Sequence, residues 1–289
     1  MGKTGTGKTS FINAITEKGL KVGHGLFSCT QDIQTANTTI NGREVWLIDT
    51  PGFEDTNQSN VDILATIANW VEQANNERKH LSGIIYFHRI IDPRMESSSV
   101  KNLRMFRELC GERNFSNVIL CTTMWDKVEE EEGRRREQEL ESEETFWGSL
   151  VSRGAQVVRH RGPDLVASAR KIVETLIQKD TIVLQVQEEL DQNSSLSDTS
   201  AGKLLTSAIE DIKKKHEEEM AAIMAEMQAA KDDKEEIRLL KEYYEKEIKG
   251  LRKATEELEK LRAEDKKRFE RELEKIRRER DDRYECIVC

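Results

Sequence analysis

Apolar positions fall in short blocks over the first 190 residues and then settle into one long helical stripe. Residues 9 to 18 (TSFINAITEK) place Phe11, Ile12 and Ile15 at helical spacing directly after a glycine-rich segment, and predict a short helix. Around residues 33 to 49 two strand-like runs flank Asn41-Gly42. That dipeptide suits a tight hairpin, because both of its residues tolerate positive φ. The second run, Val45 to Ile48, ends on Asp49. Apolar runs at Gly83 to Phe87, Val118 to Cys121 and Gln156 to Val158 predict buried strands, separated by helical patterns at about 59 to 76, 98 to 110 and 136 to 152. This alternation is that of an α/β domain. An amphipathic stretch from Leu165 to Leu190 closes it.

The pattern changes near residue 190. Asp191 to Ser200 (DQNSSLSDTS) reads as a linker or helix break, giving a domain over 1–190, a linker over 191–202 and a long helix over 203–285. Leu205, Ile209, Ile212, His216, Met220, Ile223 and Met227 step by three and four. Leu240, Tyr244, Ile248, Leu251, Leu258 and Leu261 resume the stripe after the charged run Lys231 to Glu236. Unbroken, the segment would extend on the order of 120 Å. A coiled coil with a hinged centre is expected, against a solitary helix held by Glu to Lys pairs.

Composition agrees with this division. Three prolines, at 51, 93 and 163, all precede the long helix, and charged residues make up 35% of the chain. The net charge of −9 offers no general attraction to nucleic acid, which is not an expected partner. No signal peptide or apolar run of spanning length is recognisable, and a cytoplasmic location is expected, with peripheral membrane attachment through a lipidated tail as a variant. The five cysteines suggest no disulfide framework. Two of them form the carboxyl-terminal Cys286-Ile287-Val288-Cys289 (286–289), which has the C-a-a-X form and makes Cys286 a candidate for prenylation. Cys289 is atypical in the last place, and the mixed charge of Arg277 to Glu285 weakens a second membrane signal.

The chemistry is concentrated in three segments. Gly2-Lys3-Thr4-Gly5-Thr6-Gly7-Lys8-Thr9 satisfies G-x-x-x-x-G-K-[ST] at every constrained position. Glycines allow the backbone to curl so that its amides face phosphate oxygens, Lys8 sets an ammonium against them, and Thr9, followed by Ser10, opens a helix whose positive end faces the same way. The Thr9 hydroxyl suits Mg²⁺. Asp49-Thr50-Pro51-Gly52 follows a strand, so Asp49 is delivered where open α/β sheets place ligands and can hold Mg²⁺, while the Gly52 amide can reach a γ-phosphate. Thr122-Thr123-Met124-Trp125-Asp126-Lys127 follows another strand. Asp126 can accept from guanine N1-H and N2-H, which adenine does not offer at that edge. Thr123 joins it as a nucleotide contact. Met124 stands where [NT]-K-x-D carries lysine, so an adenine reading remains open. Thr30 is the candidate switch threonine that would complete the Mg²⁺ shell.

The ordered set of P-loop, Thr30, DTPG and TTMWD resembles the septin-like GTPases: immunity-associated nucleotide-binding proteins, chloroplast import-receptor GTPases and fungal G-domain proteins with coiled-coil tails. The resemblance covers about residues 1 to 180. It implies a Ras-like core that binds GTP or GDP with Mg²⁺, hydrolyses GTP slowly and often forms a homodimer across the nucleotide face. In that family a central strand feeds the P-loop. Here the sequence opens at Met1-Gly2, so this strand is expected to be missing, leaving its neighbours' backbone groups without their middle partner. Phe53 stands where Ras-like enzymes carry a water-orienting glutamine. Glu54, Asp55, His88, Arg89 and Arg94 are nearby polar groups, and none is assigned as a base. A fifth guanine-contacting segment is expected near Arg159 to Gly162. The charged run Glu129 to Glu144 reads as a solvated helix face. Two rivals stand beside the GTPase: a coiled-coil interaction protein whose truncated head binds nucleotide without turnover, and an ATPase.

Overall fold

A computed structural model describes residues 1–16, 19–20, 33–52, 58–76, 80–192, 195–229 and 234–284. The chain divides into two compact units, Met1–Gln192 and Asn193–Cys289.

The first unit follows the alternation of its sequence. Helix α1 (Lys8–Ile15) buries Phe11, Ile12 and Ile15, the predicted face. Strands β1 (Gln34–Ile40) and β2 (Arg43–Asp49) form an antiparallel hairpin, and Asn41 and Gly42 turn it with φ of 51° and 75°. After α2 (Asn60–Asn76), strands β3 (Ile84–Arg89) and β4 (Val118–Thr123) pair in parallel on either side of α3 (Ser97–Cys110), with Ile84 opposite Val118. Strand β5 (Gln156–Arg159) extends that sheet with Ile119 opposite Gln156. All six residues of β4 are buried, as its continuous apolar run requires of the middle strand of a sheet covered on both faces. Helix α1 and helix α6 (Leu165–Ile177) share a core of Phe11, Ile12, Phe87, Ile119, Ile172 and Val173.

Two helical stretches break where the periodicity alone suggested continuity. Over 136–152, α4 (Glu130–Ser142) stops at Glu143 and gives way to a wide turn at Glu144–Gly148 before the short α5 (Ser149–Val151). Phe146 leaves helical geometry there (φ −101°, ψ −111°), which lets Trp147 bury completely against the His88 ring. Over 165–190, α6 ends at Ile177 and α7 spans Gln185–Asp191. The intervening turn is tied down by Asn117, whose amide donates to Ser82 O and Asp180 O at 2.8 Å each.

The strands do not form one sheet. β1-β2 and β3-β4-β5 are separate, and among the described residues no strand joins them. Met1 makes a single step of pairing on β3: its amine donates to Ile85 O at 2.6 Å and its carbonyl accepts from Phe87 N at 2.9 Å. A cavity of about 770 Å³ lies beside it, lined by Val45 and Leu47 of β2, Ile85 of β3, Ile12 of α1 and Trp70 and Val71 of α2.

In the second unit the long stripe is two helices, α8 (Ser200–Ala229) and α9 (Lys234–Tyr284), instead of one extended rod. They run antiparallel against each other, because His216 bonds Glu247 and Ser197 N donates to Asp265 Oδ1 at 3.2 Å. Leu205 and Ile209 of α8 and Ala254 and Leu261 of α9 are buried. Residues 230–233, where the hinged centre was expected, lie outside the described residues. No described helix is long and apolar enough to cross a membrane.

Candidate nucleotide site

The glycine-rich loop curls as its composition demands. Gly5 and Gly7 have φ of 80° and 91°, values that an L side chain resists, and Gly7 is the residue from which α1 starts. The buried Lys8 ammonium crosses back over the loop, donating to Gly2 O at 3.2 Å and Lys3 O at 3.1 Å. It is therefore held at the loop, not extended into solvent. Lys3 pairs with Glu96 at 2.5 Å, Thr6 lies buried with its hydroxyl on Lys3 O at 2.9 Å, and Ser10 is exposed on the first turn of α1.

The D-T-P-G segment docks onto this loop. Thr9 Oγ1 donates to Asp49 Oδ2 at 2.6 Å, bringing together a hydroxyl and a carboxylate from positions forty apart in sequence. A Cβ on Gly52 would lie 2.5 Å from Thr4 Oγ1 and 2.7 Å from Thr4 N, so only glycine permits this approach. The buried hydroxyls of Thr4 and Thr50 have no hydrogen-bond partner among the described residues. Orphaned donors beside a nest of loop amides fit an anionic phosphate, and the Thr9 and Asp49 oxygens are the hard donors that Mg²⁺ takes. Thr30, Phe53, Glu54, Asp55, Cys286 and the 286–289 motif lie outside the described residues.

The third segment is anchored from beneath. Thr123 Oγ1 donates to Thr6 O at 3.0 Å, linking the end of β4 directly to the P-loop. Met124 adopts a left-handed conformation (φ 62°) and starts a single helical turn, Trp125–Lys127, that leaves Asp126 exposed. Trp125 is buried. Its indole donates to Thr122 Oγ1 at 2.9 Å, Thr122 donates to Glu137 Oε1 at 3.0 Å, and the Arg159 guanidinium lies 4.3 Å over the indole ring. Arg159 Nε donates to the same Glu137 carboxylate at 2.7 Å. Arg161 reaches Glu130 at 2.5 Å and lies 5.1 Å from the Trp125 ring. Arg159 and Arg161 are thereby brought beside the Trp125–Lys127 turn.

This network corrects the reading of Glu129 to Glu144 as a solvated face. Glu137 is 5% exposed, and the sequence signal that could have flagged it was its place on the inward side of α4, three residues before buried Leu140. Of the polar groups near Gly52, Arg89 is paired in parallel with Asp92 (3.1 and 2.9 Å) and its guanidinium comes within 3.8 Å of where a Gly5 Cβ would stand. His88 packs its ring edge-on to Trp147, and burial pushes its pKa down to about 4. Arg94 is exposed. The thiols of Cys110 and Cys121 are buried and free, and burial pushes Cys121 up to about 12.

Residues 1–121 match the family model described as 50S ribosome-binding GTPase. Over those residues the chain is therefore similar to a GTPase G domain. Among curated relatives of this domain are GTP-binding protein A of Dictyostelium discoideum, 28% identical over 136 residues, and Translocase of chloroplast 108 of Physcomitrium patens, 28% identical over 126 residues. These alignments cover 44% and 43% of the chain but only 28% and 12% of the relatives' own lengths. Toc33 from Arabidopsis thaliana, solved in complex with GDP and Mg²⁺, aligns at 17% identity over 64% of this chain and 85% of its own, with a TM-score of 0.48. The α/β alternation of the unit is consistent with the Ras-like P-loop GTPase fold expected from the sequence.

Proposed function

We propose that the G domain binds GTP and GDP with Mg²⁺, hydrolyses GTP slowly, and through its nucleotide state controls association with a second copy or another partner. The observation that carries this reading is the 2.6 Å contact between Thr9 and Asp49 beneath a loop that already holds Lys8. Loop amides and Lys8 bind the phosphates, Gly52 carries the DTPG amide to within reach of them, and Asp126 reads the base edge from an anchored turn. Thr9 and Asp49 would hold Mg²⁺, which when bound neutralises phosphate charge. No residue is placed as a general base. The GTP-binding relatives support the guanine assignment, and Met124 is the residue that weighs against it.

A second reading, nucleotide binding without turnover, is favoured by Phe53 standing where Ras-like enzymes carry a water-orienting glutamine. On this reading the α8-α9 hairpin, acting as a coiled coil, is the working surface. Titration of the full chain with GTP, GDP and ATP, with and without Mg²⁺, tests both. GTP and GDP are expected to bind and ATP not; tight ATP binding would exclude guanine specificity, and failure of all three would exclude a nucleotide function. Phosphate release over several hours then decides between slow hydrolysis and none.

A further inference from the structure

The α8-α9 hairpin carries a cluster that the G-domain chemistry does not use. His216 and Glu219 lie one turn apart on α8, and Glu247 faces them from α9. One imidazole nitrogen and one oxygen from each carboxylate all lie within 4.8 Å of one another. Most of the surrounding hairpin surface is a solvated mixture of Lys and Glu, but here the His216 and Glu247 side chains are only 23% and 12% exposed. The backbone is shaped to admit the ring: a Cβ on Gly250 would fall 2.3 Å from His216 Cε1, and Gly250 lies one turn beyond Glu247 on the same face of α9.

We propose that His216, Glu219 and Glu247 form a binding site for a divalent transition-metal ion of the zinc class, which cross-links α8 to α9. Charge is the first argument. Two carboxylates converge on one imidazole, and even a protonated ring balances only one of them. Lys215 also approaches Glu219, at 3.5 Å, but as an exposed pair between flexible ends it offers little compensation. A divalent ion balances both carboxylates at once. The second argument is the donor set. One imidazole nitrogen with two carboxylate oxygens is a three-ligand set that zinc accepts, with water completing a tetrahedron, whereas Mg²⁺ and Ca²⁺ prefer oxygen alone. Metal-ligand bonds of about 2.0–2.2 Å place donors about 3.5 Å apart, so the hydrogen-bonded His216 and Glu247 pair opens slightly while the more exposed Glu219 carboxylate rotates inward. His216 Nδ1 already bonds Glu247, so two of the three ligand atoms are held together across the helix pair.

The site is tested on the full chain, stripped with chelator and titrated with Co²⁺ in excess Mg²⁺. The expected result is one equivalent bound with a visible spectrum of nitrogen and oxygen ligation, displaced by Zn²⁺ and weakened at least tenfold in His216→Gln and in Glu219→Gln. Glu219→Gln alters an exposed carboxylate and keeps the fold testable if His216→Gln does not. Absence of binding, binding unchanged in both variants, or a thiolate charge-transfer band showing that cysteines take the metal would each overturn the proposal. The pairing would then be a plain histidine-carboxylate hydrogen bond.

Discussion

At the scale of single residues, the nucleotide site depends on a few atoms with no tolerance for displacement. Lys8 is a long cation drawn across the loop, so Lys8→Ala should lower affinity for a fluorescent GTP analogue at least tenfold while leaving circular dichroism unchanged. Gly52→Ala should act differently. Its new Cβ meets Thr4 main-chain nitrogen at 2.7 Å, and main chain cannot step aside as a flexible side chain can, so both thermal stability and GTP affinity should fall together. His88 gives a pH signature. Its folded pKa is about 4 against an ordinary 6.5, so on acidification the unfolded chain takes up the proton first. Stability from the neutral ring is fully present above about pH 6.5 and is lost as pH falls toward 4, on the order of 3 kcal/mol in all. Burial lowers His160 in the same direction. Urea unfolding between pH 4 and 7 should therefore show a slope that His88→Gln partly flattens.

At the scale of elements, the Asp126 loop is positioned by contacts beneath it. Glu137 on α4 receives Thr122 from β4 and Arg159 from β5, and Trp125 is clamped between them. Glu137→Leu would take its carboxylate acceptor from the buried Thr122 hydroxyl and leave Arg159 only its longer pairing with Glu130. A loss of about 2 kcal/mol is expected, with a red shift of Trp125 fluorescence and weaker guanine discrimination, read by denaturant titration and by GTP against ATP binding. Loop sequence told where Asp126 stands. It did not tell what holds it, because Glu137 sits within a run of charges whose composition predicts solvent on every side. The break at Phe146 was hidden for a related reason: helical periodicity counts apolar positions but is blind to the space available for an indole, and burying Trp147 took precedence over helix continuity.

At the scale of the whole molecule, the G domain and the α8-α9 hairpin are separate compact units. Ligands should then act on them separately. GTP with Mg²⁺ at about a hundred times its dissociation constant should raise the stability of the G domain by about 2.7 kcal/mol and leave the hairpin unmoved, visible by calorimetry as a shift in one transition only. A common shift of both transitions would show that the units unfold together. The sequence by itself determined the glycine-rich curl before α1, the Asn41-Gly42 turn and the buried run of β4, since each follows from local stereochemistry or from a short pattern of apolar positions. Only the tertiary structure decided that Thr9 meets Asp49 across forty positions, that Glu137 lies inside, and that the stripe from Leu205 to Leu261 folds back on itself. Those outcomes depend on which distant surfaces meet, and a stripe of apolar residues at spacing three and four is satisfied equally by a neighbour from its own chain or from another.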